Sequence, residues 1–208
     1  MGNISYIAFR EQFVKYGCFS CSQVALWHKS FDINNFTRWC KQGLLIRLRK
    51  GWYAFPECLA KPDFARYIAG RIYKPSYISL HTALAFYGMI PEAVVSINSV
   101  TTLKTASFSS QFGDYAYQHI KPSLLFGFEL KPMDDGRAIP FATPEKALLD
   151  LMYLYPMYDT PDDLLNLRLD EDFLHEDLDM ERLNEYLKAF NNKALADRVK
   201  ILKTVYEL

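Results

Sequence analysis

With 208 residues, half of them apolar, the chain is long enough to bury one large or two small hydrophobic cores. No part of it approaches the roughly 18 consecutive apolar residues that span a bilayer. Arg10, Glu11 and Lys15 interrupt the region in which a secretory signal would be apolar. These features exclude a membrane-spanning class and predict a cytoplasmic protein.

The net charge of zero conceals a polarised chain. Residues 1–74 carry 12 basic and 4 acidic side chains, a balance of +8, whereas residues 155–190 carry 3 and 11, a balance of −8. The other two segments are nearly balanced: residues 75–154 carry 5 basic and 7 acidic side chains, and residues 191–208 carry 4 and 2. A basic N-terminal part can neutralise phosphates, while the acidic part either faces a cationic partner or is a solvated surface.

The first two predicted helices belong to a small N-terminal domain. The first runs from Ile7 to Tyr16, where apolar residues recur at an imperfect helical spacing. The second starts at Cys21, because Ser20 and Gln23 have the spacing of a capping box.

A third helix follows, in which Ile33, Phe36 and Cys40 are predicted to be buried together with Trp39 at the edge. Its opposite face carries side chains that can contact base edges or phosphates. These residues are Asn34, Asn35, Thr37, Arg38 and Lys41.

Residues 44–55 alternate apolar and polar positions and turn at Lys50-Gly51, which predicts a β-hairpin. The cations of this hairpin are Arg47, Arg49 and Lys50. Three helices followed by a basic hairpin are typical of a winged helix-turn-helix, which binds double-stranded DNA. A winged helix that serves only protein contacts is the alternative. We assign residues 1–56 to this domain, called the head, and residues 57–62 to a linker.

Residues 63–208, called the body, are predicted to mix helices and strands. Helices are predicted over 63–73, around 79–88 and from Thr143-Pro144 onward, with two more starting at Thr160 and Asp179. A small antiparallel sheet is predicted from the segments 94–101, 106–108, 115–120 and 124–130. The predicted fold class is α+β, a winged helix-turn-helix followed by a mixed α/β domain with C-terminal helices.

All four cysteines, Cys18, Cys21, Cys40 and Cys58, lie near the N-terminus. A zinc site would require a second close pair or nearby histidines, and the sequence has neither. We expect buried thiols in a reduced protein and no cofactor.

A set of short strings is shared with a known family. They are Gly43-Leu44, Arg49-Lys50-Gly51-Trp52-Tyr53, Tyr77-Ile78-Ser79-Leu80, Ala83-Leu84, Tyr87-Gly88-Met89-Ile90-Pro91-Glu92, Ser99-Val100-Thr101 and Ala142-Thr143-Pro144-Glu145-Lys146-Ala147-Leu148-Leu149-Asp150. Together they resemble the AbiEi antitoxins of type IV abortive-infection toxin–antitoxin systems over most of residues 1–155.

The resemblance implies a head that binds inverted repeats in its own promoter and represses the operon. It also implies a body that opposes a nucleotidyltransferase-like toxin without forming a stable complex with it. The charged residues of the most specific string, Glu145, Lys146 and Asp150, are candidates for antitoxin function. The structural alternative is that Glu145 favours a helix N-terminus and Asp150 pairs locally.

Two other functions are alternatives to DNA binding combined with toxin antagonism. A metal-dependent nuclease could use Asp134, Asp135, Glu145 and Lys146, but adjacent helical residues point about 100° apart, and we predict no enzymatic activity. A one-component transcriptional regulator could enclose a small ligand with the aromatic residues of the body, although such residues are more often core. They are Phe108, Phe112, Tyr115, Tyr117, Phe126 and Phe128.

Overall fold

A computed structural model describes residues 4–92 and 94–208 of the protein. The helices of this part are α1 (Tyr6–Phe13), α2 (Cys21–Trp27), α3 (Asn34–Lys41), α4 (Phe64–Ile72), α5 (Leu80–Phe86), α6 (Pro144–Leu154), α7 (Pro161–Asn166), α8 (Glu171–Glu176), α9 (Met180–Phe190) and α10 (Lys193–Val205). Its strands are β1 (Cys18–Ser20), β2 (Ile46–Arg49), β3 (Trp52–Ala54), β4 (Ser76–Ile78), β5 (Ile97–Thr101), β6 (Ala106–Ser110), β7 (Gly113–His119), β8 (Phe128–Pro132) and β9 (Ala138–Ala142). The fold is therefore α+β, as predicted at this level.

The head contains α1 to α3 and an antiparallel sheet in the order β1-β3-β2. The predicted capping box at the start of α2 is confirmed, since the Ser20 hydroxyl accepts from the Gln23 amide and the Gln23 side chain accepts from the Ser20 amide. The predicted hairpin is also confirmed as β2 and β3. The first helix is shorter than predicted because it ends at Phe13 and continues as a 3-10 turn.

Aromatic side chains form the core of the head. The ring of Phe9 lies 4.7 Å from that of Trp39 and 4.9 Å from that of Phe13, and Phe36 stacks on Tyr53 at 4.6 Å. These contacts tie α1 and α3 to the sheet, so the position of α3 is fixed by its buried face.

The body contains a six-stranded mixed sheet in the order β6-β7-β5-β4-β9-β8. The prediction of a small antiparallel sheet is wrong in size and direction, because β4 pairs with β9 and β5 with β7 in parallel. The strands β4 and β9 were not predicted. The three residues of β4 directly precede a helix, and β9 contains Pro140, so neither has the pattern of an independent strand.

Helix α6 occupies the centre of the body, in contact with α5, α9, α10 and β9. The predicted helix starts at Thr160 and Asp179 are confirmed as the caps of α7 and α9, and α8 was not predicted. None of the helices in residues 4–92 and 94–208 combines the length and the apolar character that crossing a bilayer requires.

Direct contacts connect the head with the body. The Tyr67 hydroxyl on α4 donates to the carbonyl of Tyr16 at 3.0 Å. Gly17, at φ +68°, lies so close to the body that a Cβ atom there would be 1.7 Å from Nη1 of Arg137. The predicted linker begins in a 3-10 helix, Pro56–Ala60, in which Cys58 is buried. The hairpin strand β2 makes a further contact with the body through Arg49.

Candidate functional site

The buried face of α3 differs from the predicted one. Phe36 and Trp39 are buried, but Ile33 precedes the helix and is 69% exposed, and Asn35 is buried instead. The prediction of an Ile33 stripe with Trp39 at its edge is therefore wrong. The indole is larger than the Cys40 side chain and fills the space next to Phe9 in the aromatic core, which rotates the helix.

The open face of α3 carries Asn34, Thr37, Arg38 and Lys41, all exposed. Together with Gln42 they line a shallow concavity of about 490 Å³. Their side chains combine amide and hydroxyl groups, which can pair with base edges, with two cations, which can pair with phosphates or guanine. This surface can therefore contact a nucleic-acid groove.

Asn35 does not belong to that open face. It is 1% exposed, and its Oδ1 accepts a hydrogen bond from Nη2 of Arg38 at 2.6 Å. Its Nδ2 is buried without a hydrogen-bond partner among the described residues. The predicted position of Asn35 is wrong, because the residue lies under the arginine rather than beside it.

The hairpin places its cations differently from the predicted arrangement. Arg47 and Lys50 are exposed, next to the turn that contains Gly51. A bulge between Arg47 and Arg49 breaks the register with β3, so the two arginines do not share a face as predicted. Nη1 of Arg49 instead donates to the carbonyl of Ile72 in the body at 3.0 Å.

The two exposed parts, the open face of α3 and the hairpin cations Arg47 and Lys50, make up the candidate nucleic-acid interface. Both are carried by elements whose other face is packed in the core of the head, since Phe36 and Trp39 are buried beneath α3 and Ile46 and Leu48 beneath the hairpin. Such rigid support holds binding side chains in fixed positions.

The candidate antitoxin residues on α6 lie in the core of the body. Lys146 and Asp150 are 0% exposed and form an ion pair one helical turn apart. Nζ of Lys146 also donates to the Tyr77 hydroxyl at 2.7 Å, which in turn donates to Asp150 at 2.9 Å. The Ser79 hydroxyl donates to the same carboxylate at 2.8 Å. The network is thus closed within the protein.

Burial sets the protonation behaviour of this network. It lowers the pKa of Lys146 and raises the pKa of Asp150, since a charged group loses its hydration in the core, and the two partners partly offset each other. Burial likewise raises the pKa of Tyr77, with the adjacent carboxylate acting in the same direction. Two aromatic rings lie beside the ammonium of Lys146. The distance from Nζ to the ring centre is 4.8 Å for Phe190, at the end of α9, and 5.1 Å for Phe126, in the loop before β8.

Glu145 is 1% exposed and accepts a hydrogen bond from the backbone amide of Asp179 at 3.2 Å. It therefore supports the start of α9, whereas the sequence suggested the start of its own helix. Sequence reasoning did not identify Tyr77 and Ser79 as partners of α6. The usable signal was their spacing of two in an extended segment, β4 and the residue after it, which places both side chains on one face.

The four cysteines are free thiols, and Cys18 and Cys58 are buried as expected, while Cys21 and Cys40 are half-buried. Burial raises the pKa of Cys18 to about 12, so this thiol stays protonated at neutral pH. Within residues 4–92 and 94–208, no cluster of three or more His, Cys, Asp or Glu side chains has the arrangement of a metal site.

The residues suggested for a nuclease do not form a common site. Asp135 pairs with Arg137 and Lys61 on the surface, whereas Lys146 pairs with Asp150 in the core. The aromatic residues suggested for ligand enclosure are packed in several places, since Tyr115 and Tyr117 are core and Phe126 covers Lys146.

A separate cavity of about 460 Å³ lies elsewhere in the body, beside α5 and the start of β5. Its polar lining includes His81, Glu92, Asn98 and Tyr158. Burial lowers the pKa of His81, which favours the neutral imidazole at physiological pH.

Comparison of the chain with protein-family models and with curated proteins finds no match.

Proposed function

We propose that the protein binds double-stranded DNA through the candidate nucleic-acid interface, in the manner of a winged helix-turn-helix. The observation that carries the proposal is the exposed set of Asn34, Thr37, Arg38 and Lys41 on one face of α3, next to the exposed Arg47 and Lys50 of the hairpin. A helix in the major groove reads bases, while a cationic wing contacts phosphates and fixes the orientation of the domain.

We further propose that the DNA is an inverted repeat in the protein's own promoter and that the protein acts as the antitoxin of a type IV toxin–antitoxin system. This part depends on the resemblance to AbiEi antitoxins. The partner would be a nucleotidyltransferase-like toxin encoded beside it, opposed without a stable complex. Because Glu145, Lys146 and Asp150 are buried, we assign them to the stability of the body and leave toxin antagonism to its surface.

The DNA proposal is tested with the full chain and a duplex from its upstream region, compared with a scrambled duplex. Arg38→Ala should cost about 1–3 kcal/mol on the operator and much less on the scrambled duplex, because base contacts are specific. Arg168→Ala, which removes an exposed arginine from the acidic part of the chain, is the control, and at 0.15 M salt it should leave both affinities unchanged. Equal losses on both duplexes would remove α3 from the recognition role.

The wing is tested by salt titration. Arg47→Ala and Lys50→Ala should each weaken binding to every duplex and lower the slope of log affinity against log salt by roughly one, because each releases one fewer counterion. A full chain that fails to retard its upstream region at low salt would contradict the proposal as a whole.

The antitoxin proposal is tested by co-expression with the neighbouring gene. The full chain should restore growth when the toxin is induced. An Arg38→Ala and Lys41→Ala double variant that no longer binds the operator should restore it equally well if antagonism resides in the body. No rescue by the wild-type chain would contradict the antitoxin assignment and leave the DNA proposal standing.

A second candidate function, a one-component transcriptional regulator, is favoured by the cavity lined by His81, Glu92, Asn98 and Tyr158. Cavities of this size with a few convergent polar groups are common ligand sites. In that case a small molecule should shift both the melting temperature and the operator affinity, and a His81→Phe variant should abolish both shifts.

A further inference from the structure

We infer that Arg49 is a positioning residue that anchors the wing to the body, and that it is not one of the phosphate contacts. The inference rests on the proposed DNA binding for its functional consequence and on the contacts of Arg49 for its structural content. Arg49 therefore has a different role from Arg47 and Lys50, although all three are cations of the same hairpin.

The anchor begins with the bulge in β2. Because the register shifts between Arg47 and Arg49, Arg49 lies opposite Trp52 and leaves the alternation that would direct it outward beside Arg47. Arg47 stays exposed, while Arg49 is only partly accessible. The bulge therefore places the guanidinium of Arg47 in solvent and that of Arg49 against the body.

The guanidinium of Arg49 caps a helix of the body. Nη1 donates to the carbonyl of Ile72 at 3.0 Å, and Ile72 is the last residue of α4. The last four carbonyls of a helix have no partner within it, and a cation is favoured at this negative end of the helix dipole. Arg49 supplies both the donor and the charge.

Two aromatic rings of the body complete the site. The guanidinium carbon lies 4.1 Å from the ring centre of Phe108 and 5.4 Å from that of Tyr73. The rings contact each other edge-to-face at 5.3 Å, and the Tyr73 hydroxyl donates to the carbonyl of Lys104 at 2.8 Å. The planar guanidinium suits this arrangement because it stacks and donates at once, which an ammonium cannot do.

The anchor affects the geometry of the nucleic-acid interface. The wing is a two-stranded hairpin whose tip carries Lys50, and Arg49 is the residue immediately before that tip. Fixing Arg49 on Ile72 and Phe108 holds the tip, and hence Arg47 and Lys50, in one orientation relative to α3. DNA affinity therefore depends on residues of the body that do not themselves contact DNA.

The test compares Arg49→Ala, Arg49→Lys and Phe108→Leu with Lys50→Ala in the full chain, by duplex affinity as a function of salt. Lys50→Ala should lower the salt slope by roughly one. Arg49→Ala should weaken binding roughly three- to tenfold with the slope unchanged. Arg49→Lys should weaken it almost as much although the charge is kept, and Phe108→Leu should do so although no charge is involved.

Coupling supplies the second readout. The combination of Arg49→Ala with Phe108→Leu should cost no more affinity than Arg49→Ala alone, because both changes break the same contact. General destabilisation of the fold would lower the melting temperature without this pattern in the affinity of the folded protein. A lower salt slope for Arg49→Ala, with full affinity for Arg49→Lys and Phe108→Leu, would overturn the inference and make Arg49 a phosphate contact.

Amide hydrogen exchange of the hairpin tests the anchor independently of DNA. Residues 46–54 should exchange faster in Arg49→Ala and Phe108→Leu than in wild type, and at the wild-type rate in Lys50→Ala. Unchanged exchange in the first two variants would overturn the anchor. Failure of the wild-type chain to bind DNA, with the exchange pattern as expected, would contradict the proposed function and leave the anchor established.

Discussion

At the scale of single residues, a buried side chain of α3 holds an exposed one in position. Asn35 and Arg38 are neighbours one turn apart, and the buried amide accepts from the exposed guanidinium at 2.6 Å. That bond restricts the rotamers of Arg38 before any ligand arrives. A restricted side chain loses less conformational entropy on binding, so the buried residue contributes through its exposed neighbour.

Asn35→Ala is therefore expected to weaken operator binding by about 1 kcal/mol, the typical entropic cost of immobilising one long side chain on binding, and to do so only while Arg38 is present. A double-mutant cycle with Arg38→Ala, measured by fluorescence anisotropy, checks this. Asn34→Ala, the exposed neighbour, is the control and should add to the loss from Arg38→Ala. Additive losses for Asn35→Ala would contradict the positioning role.

At the scale of elements, α6 is held by a buried ion pair instead of by apolar packing alone. Lys146 and Asp150 lie one turn apart on its inner face, and the aromatic rings of Phe126 and Phe190 close over the ammonium. A buried pair costs desolvation and is retained in some proteins because it specifies one arrangement of the surrounding elements. Here Lys146 contacts the Tyr77 hydroxyl of β4 and the Phe190 ring of α9, so the pair links α6 to both elements.

Asp150→Ala is expected to lower the free energy of unfolding by about 3–5 kcal/mol, because it leaves the ammonium of Lys146 buried without a counterion. The double variant Lys146→Met with Asp150→Leu should recover most of that loss. Urea unfolding measures both. Asp197→Ala, which breaks the exposed pair with Lys200, is the matched control and should change stability by less than about 1 kcal/mol. A loss no larger than the control's would contradict a structural role for the pair.

The Asp150→Ala variant should also respond to pH in a defined direction. Burial lowers the pKa of Lys146 in the folded state, so the unfolded chain binds more protons on this residue and stability rises with pH. Removing the carboxylate strengthens that effect. The unfolding free energy of the variant should therefore rise between pH 7 and about pH 9 more than that of wild type.

The starts of α2 and α6 could be predicted because their signals are local. Ser20 with Gln23 and Thr143 with Pro144 identify helix starts within three residues. The orientation of α3 could not be predicted from the sequence, because it depends on which side chain best fills the space beside Phe9. Likewise β4 is a strand only because β5 and β9, more than 15 residues away in the chain, pair with it.

The candidate interface was predictable in part for the same reason. Arg47 and Lys50 follow from the alternation of a hairpin. The different position of Arg49 follows from a bulge and from the rings of Phe108 and Tyr73, which reach it only in the folded chain. Lys146 and Asp150 were candidates for antitoxin function because they belong to a family string, and their burial in one network is a property of the whole body.

At the scale of the whole molecule, the charges are segregated along the sequence, so that one segment attracts polyanions and another segment repels them. Residues 1–74 have a balance of +8 and residues 155–190 a balance of −8. Exposed carboxylates of the second group, including Glu176, Asp177 and Glu185, lie on and beside α8 and α9. Their field acts over the Debye length, about 30 Å at 0.01 M salt and about 8 Å at 0.15 M.

Neutralising Glu176, Asp177 and Glu185 with Gln, Asn and Gln is therefore expected to raise affinity for any duplex at low salt, roughly two- to fivefold, and to change nothing at high salt. The ratio of operator to scrambled affinity should stay constant, because a long-range field carries no sequence information. Lys193→Gln with Lys200→Gln, on α10, should shift low-salt affinity in the opposite direction. An increase that persists at high salt would instead mean that these carboxylates lie against the bound duplex, and the acidic surface would then be part of the interface.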